Sequence, residues 1–106
     1  MSKKTRELNA SLSGGYTSEG LQTDGENFTF AAMFDGLTAN TPAHLEQSVD
    51  GETPYQEFPD SATTLEAGQA VQNWNGNNTV PRGTMLRIVV GSGSGTITQI
   101  KLLSNG

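Results

Sequence analysis

The sequence has no cysteine and only one histidine, His44, among its 106 residues. Without thiols the chain has neither a disulfide framework nor a zinc site built on thiolates. A single histidine leaves one candidate for a catalytic relay and excludes a metal site made of several histidines. We therefore predict no catalytic residues, no metal site, no cofactor and no enzymatic activity.

Large apolar side chains are also scarce. Leu, Ile, Val and Phe account for 21 of the 106 residues, which lies near the composition at which chains remain disordered. A core this small offsets little of the entropy lost on folding. We expect one small domain that gains stability from a partner surface.

Long apolar runs are absent. The segment Met85–Val90 is the longest and is interrupted by Arg87, so it is too short to span a bilayer. The start of the chain, Met1–Lys4, is basic but no apolar run follows it, as an export signal requires. We expect synthesis in a cytosol and no membrane contact.

Basic residues are few and unevenly placed. Lys3, Lys4 and Arg6 are half of the six basic residues, whereas residues 8–106 contain three basic and ten acidic residues. This acidic body repels phosphate backbones, so the sequence predicts no nucleic-acid binding. The basic start is either a solvated terminus or a contact for an acidic neighbour.

The pattern that is present is that of β-strands. Phe28–Phe34 alternates large aromatic residues with smaller ones, which is typical of a strand with one buried face. Turn signals such as Asp35-Gly36 and Asp50-Gly51 follow the strand candidates, and no segment has helical periodicity. The sequence predicts an all-β fold, a small antiparallel β-sandwich or barrel with about 7–8 short strands. The other strand candidates are His44–Asp50, Tyr55–Phe58, Thr63–Leu65, Ala70–Trp74, Met85–Val90 and Thr96–Leu103, the last two forming a hairpin across Gly91–Gly95.

The first 27 residues differ from the rest in being polar, with few and widely spaced leucines. We interpret residues 1–27 as an extended N-terminal arm, with one possible strand at Asn9–Ser13, and residues 28–106 as the β-sandwich domain. Arms of this composition become ordered on another subunit. The predicted partner contacts are Leu8, Leu12, Tyr16, Leu21, Phe28 and Phe30.

Carbohydrate binding is the alternative function that the sequence leaves open. Tyr55 and Trp74 have rings that can stack on a sugar, and Asn75 and Asn77 have amides that can bind its hydroxyls. Both rings can equally pack in the core, where large aromatics supply much of the buried area. The alternative is thus a carbohydrate-binding or adhesin-type module that uses these four residues.

Four segments carry a resemblance to a known class of proteins: Leu45–Gly51, Tyr55–Phe58, Leu86–Gly91 and Thr96–Thr98. Across residues 44–103 the chain resembles small β-sandwich structural proteins of tailed bacteriophages, particularly capsid decoration (cement) proteins. The resemblance implies a virion protein that bridges and stabilises shell subunits, commonly as a homotrimer bound to the major capsid protein or other virion subunits. It implies no catalytic residues, and its motifs specify turns rather than a binding site.

Overall fold

The computed structural model describes residues 2–77 and 80–105. Within them the chain forms ten β-strands and no helix, so no helix there has the length and apolarity needed to cross a membrane. The strands are β1 (Ser2–Ser11), β2 (Tyr16–Thr17), β3 (Leu21–Gln22), β4 (Asn27–Asp35), β5 (Thr41–Ser48), β6 (Gln56–Glu57), β7 (Thr63–Leu65), β8 (Val71–Gly76), β9 (Met85–Val90) and β10 (Thr96–Asn105).

The strands form two antiparallel sheets. Sheet A has the order β1-β10-β4-β8, and sheet B has the order β2-β9-β5-β6, with β3 also paired to β9 and β7 to β5. The protein is therefore an all-β antiparallel β-sandwich, as the sequence predicts. The number of strands is higher than predicted because several two-residue strands carry no alternation of their own.

The core lies between the sheets and follows from the period of two along each strand. On β4 the side chains of Phe28, Phe30 and Phe34 point inward, and on β9 those of Leu86 and Ile88 do so. Fully burying a side chain of this size contributes about 1.5–3 kcal/mol. The aromatic face that the sequence predicts for residues 28–34 is thus the wall of sheet A that faces the core.

The N-terminal segment is part of the sandwich, which corrects the prediction of an extended arm over residues 1–27. Strand β1 pairs with β10 from Ser2↔Ser104 to Ser11↔Thr96, with a bulge after Glu7. Leu12 and Leu21 are 0% and 1% exposed and belong to the core. The predicted boundary at residue 28 also falls inside a strand, because β4 begins at Asn27.

The polar composition of β1 has a structural reason. Lys4 and Arg6 stand opposite Leu102 and Ile100, on the side of β1 that faces sheet B. At this edge of the sandwich long basic side chains keep their stems on apolar surface and extend their charges to solvent. The strand therefore lacks the apolar alternation by which a core strand is recognised.

The segment Gly91–Gly95 joins the two sheets and is not a hairpin, because β9 belongs to sheet B and β10 to sheet A. The Gly91 N–H donates to the Pro42 carbonyl at 2.8 Å, and the Gly93 N–H donates to the Leu12 carbonyl at 3.0 Å. At Gly95 the φ angle is +95° and a Cβ would lie 2.7 Å from the Asp35 carbonyl oxygen, so only glycine fits. Alternation alone does not distinguish a hairpin from a crossing between sheets.

Two further boundaries differ from the prediction. Strand β5 begins at Thr41, ahead of the predicted His44, and includes Pro42. Strand β8 continues to Gly76, so Asn75 lies in a strand although the run of Asn and Gly suggests a loop tip. Asn78, which the sequence places in the same loop, lies outside the described residues.

Candidate functional site

The outer face of sheet A is a continuous surface built from side chains that alternate with the core residues. Because residues paired directly across antiparallel strands point to the same side, the strand register defines rows across this face. Three rows cross β10, β4 and β8 in order: Leu103–Thr29–Asn75, Lys101–Ala31–Asn73 and Gln99–Met33–Val71. The face therefore has an amide-containing end and an apolar end, separated by the middle row.

An open cleft of about 610 Å³ lies at the amide-containing end of sheet A. We call it the amide cleft. None of its described lining residues carries a formal charge. Thr29 Oγ1 donates to Asn75 Oδ1 at 2.7 Å across the two strands, which holds the Asn75 amide in place. The amide cleft consists of Asn27, Phe28, Thr29, Asn75, Asn77, Leu103, Ser104 and Asn105.

The opposite end of the same face carries an exposed apolar pair. Met33 on β4 and Val71 on β8 are directly paired and are 43% and 45% exposed. Strand β8 is the edge strand of sheet A, so this pair is open on one side. We call Met33 and Val71 the apolar pair.

The outer face of sheet B holds a cluster of ionisable side chains across β5 and β9. Arg87 donates to Glu46 Oε1 through both Nε and Nη2, at 2.9 and 2.7 Å, and the other carboxylate oxygen of Glu46 lies 3.2 Å from His44 Nε2. The guanidinium carbon of Arg87 lies 3.8 Å from the centre of the Tyr55 ring, a cation–π contact. Each group in this cluster has a partner within the chain.

The cluster also changes the acidity of Glu46. Partial burial opposes ionisation of this carboxyl, but hydrogen bonds from Arg87 and His44, together with their charges, outweigh burial and lower its pKa. Glu46 is therefore ionised at neutral pH and acts as the partner of Arg87. Among the described residues, no group of three or more His, Asp or Glu side chains is close enough to hold a metal ion.

Most of the predicted partner contacts lie in the core. Leu12, Leu21, Phe28 and Phe30 are at most 4% exposed, so they pack within the chain and do not reach a partner. They were predicted as contacts because the N-terminal segment was interpreted as an arm and the inward face of β4 as open. Leu8 and Tyr16 are only partly buried, so their role as contacts stays a prediction.

The four predicted sugar-binding residues do not come together. The Trp74 ring is 9% exposed, faces the core, and donates from Nε1 to the Ser61 carbonyl at 2.7 Å, so it is not available to stack on a sugar. One face of the Tyr55 ring is covered by Arg87 on sheet B. Only Asn75 and Asn77 share a site, the amide cleft.

Two of the three basic residues near the N-terminus, Lys4 and Arg6, have acidic partners inside the chain. Lys4 Nζ lies 3.1 Å from Asp24 Oδ2, and Arg6 Nε lies 3.1 Å from Glu19 Oε1. These ion pairs bridge β1 of sheet A to the segments beside β3 and β2 of sheet B. The sequence suggested that this basic segment is either solvated or in contact with an acidic neighbour. In the structure, Lys4 and Arg6 form ion pairs that close one edge of the sandwich.

The end of one of the four segments that carry the resemblance, Ser48–Gly51, forms a turn after β5. Asp50 Oδ1 accepts hydrogen bonds from the N–H groups of Glu52 and Thr53 at 2.9 and 2.7 Å. Ser48 Oγ donates to the Thr53 carbonyl at 2.7 Å and accepts from the Gly51 N–H at 2.9 Å. The backbone hydrogen bonds lower the pKa of Asp50, so the carboxylate that shapes the turn is ionised at neutral pH.

Comparison with known proteins gives likenesses at the level of the fold. No protein-family model matches the chain, and no curated protein matches it. Among solved structures, the carbohydrate-binding module CBM35 from Cellvibrio japonicus Abf62 superimposes with a TM-score of 0.53, at 10% identity, over 99% of this chain and 95% of that one. A structure from Bacillus endospore appendages, a family of disulfide-linked pili, gives a TM-score of 0.51 at 10% identity, over 95% of this chain and 82% of that one. At this identity the likenesses establish the class, a β-sandwich.

Proposed function

We propose that the chain is a non-enzymatic structural protein of a bacteriophage virion, a capsid decoration protein that binds and stabilises shell subunits. In this proposal it acts as a homotrimer on the major capsid protein or on other virion subunits. The observation that carries the proposal is the apolar pair, Met33 and Val71, adjacent to each other at the open edge of sheet A. The resemblance in the turn motif at Ser48–Gly51 supports the same class.

The apolar pair has the character of an interface centre. Isolated exposed hydrophobic residues are common on protein surfaces, whereas contiguous apolar patches mark contact sites, and the apolar pair would form the centre of such a patch together with a partner. Uncharged amides stand beside the pair: Gln99 is paired with Met33, and Gln69 Nε2 donates to the Val71 carbonyl at 2.8 Å. An apolar centre with a polar rim is the usual anatomy of a protein–protein interface.

The patch is small, which suits a protein present in many copies. A single contact of two side chains supplies little binding energy, because association also costs translational and rotational freedom. When several copies bind one regular shell, weak contacts add through multivalency. The β-sandwich itself does not select this function, because the fold occurs both in the carbohydrate-binding module and in the pilus protein.

The first experiment asks whether the chain is part of the particle. Virions of the phage that encodes the chain are purified, and their proteins are identified by mass spectrometry. Virions stripped of the chain are then incubated with the purified protein, and rebinding is measured by co-sedimentation. We expect the chain in the virion and saturable rebinding. Its absence from intact virions would contradict the proposal.

A pair of variants tests the contact surface. The double substitution Met33→Lys and Val71→Lys places two charges at the centre of the patch and should reduce rebinding at least about tenfold, which corresponds to about 1.4 kcal/mol. Val49→Lys is the matched control, because Val49 is 66% exposed and lies in the turn after β5 of sheet B. Circular dichroism verifies that both proteins are folded. Rebinding of the double variant at wild-type affinity would exclude this surface.

A further inference from the structure

We infer that the amide cleft at the end of sheet A is a binding site for an uncharged saccharide. This inference does not depend on the proposed virion role. The cleft surrounds the Leu103–Thr29–Asn75 row, whereas the apolar pair belongs to the Gln99–Met33–Val71 row. Met33 follows Thr29 by four positions along β4, or about 13 Å. The two surfaces can therefore be tested separately.

The chemistry of the cleft suits hydroxyl groups. A sugar hydroxyl both donates and accepts hydrogen bonds, and a side-chain amide does the same through its NH₂ group and its carbonyl oxygen. Four asparagines and a threonine are among the residues that line the cleft: Asn27, Thr29, Asn75, Asn77 and Asn105. None of the described residues that line the cleft is charged, which suits a neutral ligand better than an ion.

The cleft is also preorganised. Thr29 lies on the central strand β4, Asn75 on β8 and Leu103 on β10, so its walls come from three hydrogen-bonded strands. The Thr29 hydroxyl holds Asn75 Oδ1 at 2.7 Å, which leaves the Asn75 NH₂ group as a donor of fixed orientation. Sites on sheet strands keep their geometry better than sites on loops.

The size and the apolar part of the cleft match a short saccharide. Its volume of about 610 Å³ lies within the range of about 300–1,000 Å³ that is typical of small-molecule sites. Leu103 supplies apolar surface for the C–H groups of a sugar ring. No open aromatic face lines the cleft, because Phe28 is 4% exposed. We therefore expect weak binding, with dissociation constants in the millimolar range.

The inference is tested by titration of the isotope-labelled full-length protein, followed by two-dimensional amide NMR. The probes are neutral oligosaccharides, namely cellotriose, xylotriose, mannotriose and β-1,4-galactotriose. Glycerol is the control for a bare polyol, and sialyllactose is the control for a charged sugar. We expect at least one neutral oligosaccharide to give saturable shifts at Thr29, Asn75, Leu103 and Asn105. Glycerol should give none, and sialyllactose should bind at least about tenfold more weakly.

Two variants of the same strand locate the site. Asn75→Leu removes the amide that Thr29 orients and should weaken binding at least about tenfold. Asn73→Leu is the matched control, since Asn73 is also an exposed residue on the outer side of β8 but does not line the cleft. The Asn73→Leu protein should bind as the wild type does. The Met33→Lys and Val71→Lys protein should also bind the sugar unchanged.

Three results would overturn the inference. The first is that no neutral oligosaccharide shifts the cleft resonances. The second is that glycerol or sialyllactose shifts them as strongly as the best neutral oligosaccharide does. The third is that Asn75→Leu binds as tightly as Asn73→Leu. None of these results concerns shell binding, so failure here leaves the proposed virion role to its own test.

Discussion

At the scale of single residues, Trp74 connects the two sheets through one buried polar contact. Its indole N–H donates to the Ser61 carbonyl at 2.7 Å, while Ser61 Oγ accepts from the Leu45 N–H at 3.0 Å. Trp74 belongs to β8 of sheet A and Leu45 to β5 of sheet B, so Ser61 links strands on opposite sides of the core. Trp74, which the sequence suggested as a ring that stacks on a sugar, is thus a structural link between the sheets.

Replacing Trp74 by Phe tests this link. Trp74→Phe keeps an aromatic ring but removes the donor, which leaves the Ser61 carbonyl without its indole partner. Loss of one partner of a buried hydrogen bond costs about 1–3 kcal/mol. We expect the free energy of unfolding, measured by urea denaturation with circular dichroism, to fall by that amount. The exposed substitution Val71→Thr on the same strand is the control and should change it by less than about 0.5 kcal/mol. Equal stability of the Phe variant and wild type would contradict the structural role.

The lowered pKa of Glu46 should make the stability of the fold depend on pH. Its pKa in the folded protein lies below the ordinary value of 4.5, because Arg87 and His44 favour the ionised form more than burial opposes it. A carboxyl with a lowered folded-state pKa stabilises the fold above its unfolded-state pKa and loses that effect as the pH falls through the folded-state pKa. The stability difference between wild type and Glu46→Gln should be present at about pH 5.5, which is above the unfolded-state pKa of a glutamate. It should shrink as the pH is lowered from there through the folded-state pKa, in urea denaturation at each pH. A difference that does not change between neutral and acidic pH would contradict this.

At the scale of strands, the sequence predicts the strands in which every side chain that points into the core is apolar. Strand β9 has the predicted bounds, and β4 follows from the aromatic alternation after Phe28. The possible strand at Asn9–Ser13 overlaps only the last three residues of β1, and the rest of β1 was missed because two inward positions at the sheet edge carry Lys4 and Arg6. Which sheet a strand joins was also not predictable, since alternation reports one buried face and not the neighbour in the sheet.

The role of β1 gives a prediction for truncation. Removing residues 2–11 deletes the strand that pairs with β10 on that side and uncovers the neighbouring core residues Ile100 and Leu102. We expect the truncated chain to lose its dispersed amide NMR spectrum and its cooperative thermal unfolding. Lys3→Ala is the control, because Lys3 is exposed on the outer side of β1, and it should leave both properties unchanged. A truncated chain with native dispersion would show that the segment is dispensable, as a true arm would be.

At the scale of the whole molecule, the candidate surfaces depend on the order of strands in sheet A. Thr29, Asn75 and Leu103 are far apart in the sequence and meet only because β4 lies between β8 and β10. The sequence indicated Asn75 and Asn77 by residue type, but it could not assign them to the same cleft as Asn105. It also could not show that Trp74 points inward while its neighbour Asn75 points outward, because both faces of β8 carry residues that suit a binding site.

The whole-molecule charge makes the predicted homotrimer sensitive to salt. Every copy has a net charge of −5, so the copies in a trimer repel one another at low salt. Raising the salt concentration from about 0.01 M to about 1 M shortens the Debye length from about 30 Å to about 3 Å, which screens the repulsion. Sedimentation should therefore show more trimer at high salt. The midpoint of thermal unfolding should rise with protein concentration, since assembly stabilises the folded chain. A chain that stays monomeric at every salt concentration would contradict the trimer, and a trimer that salt dissociates would show that ion pairs hold it together.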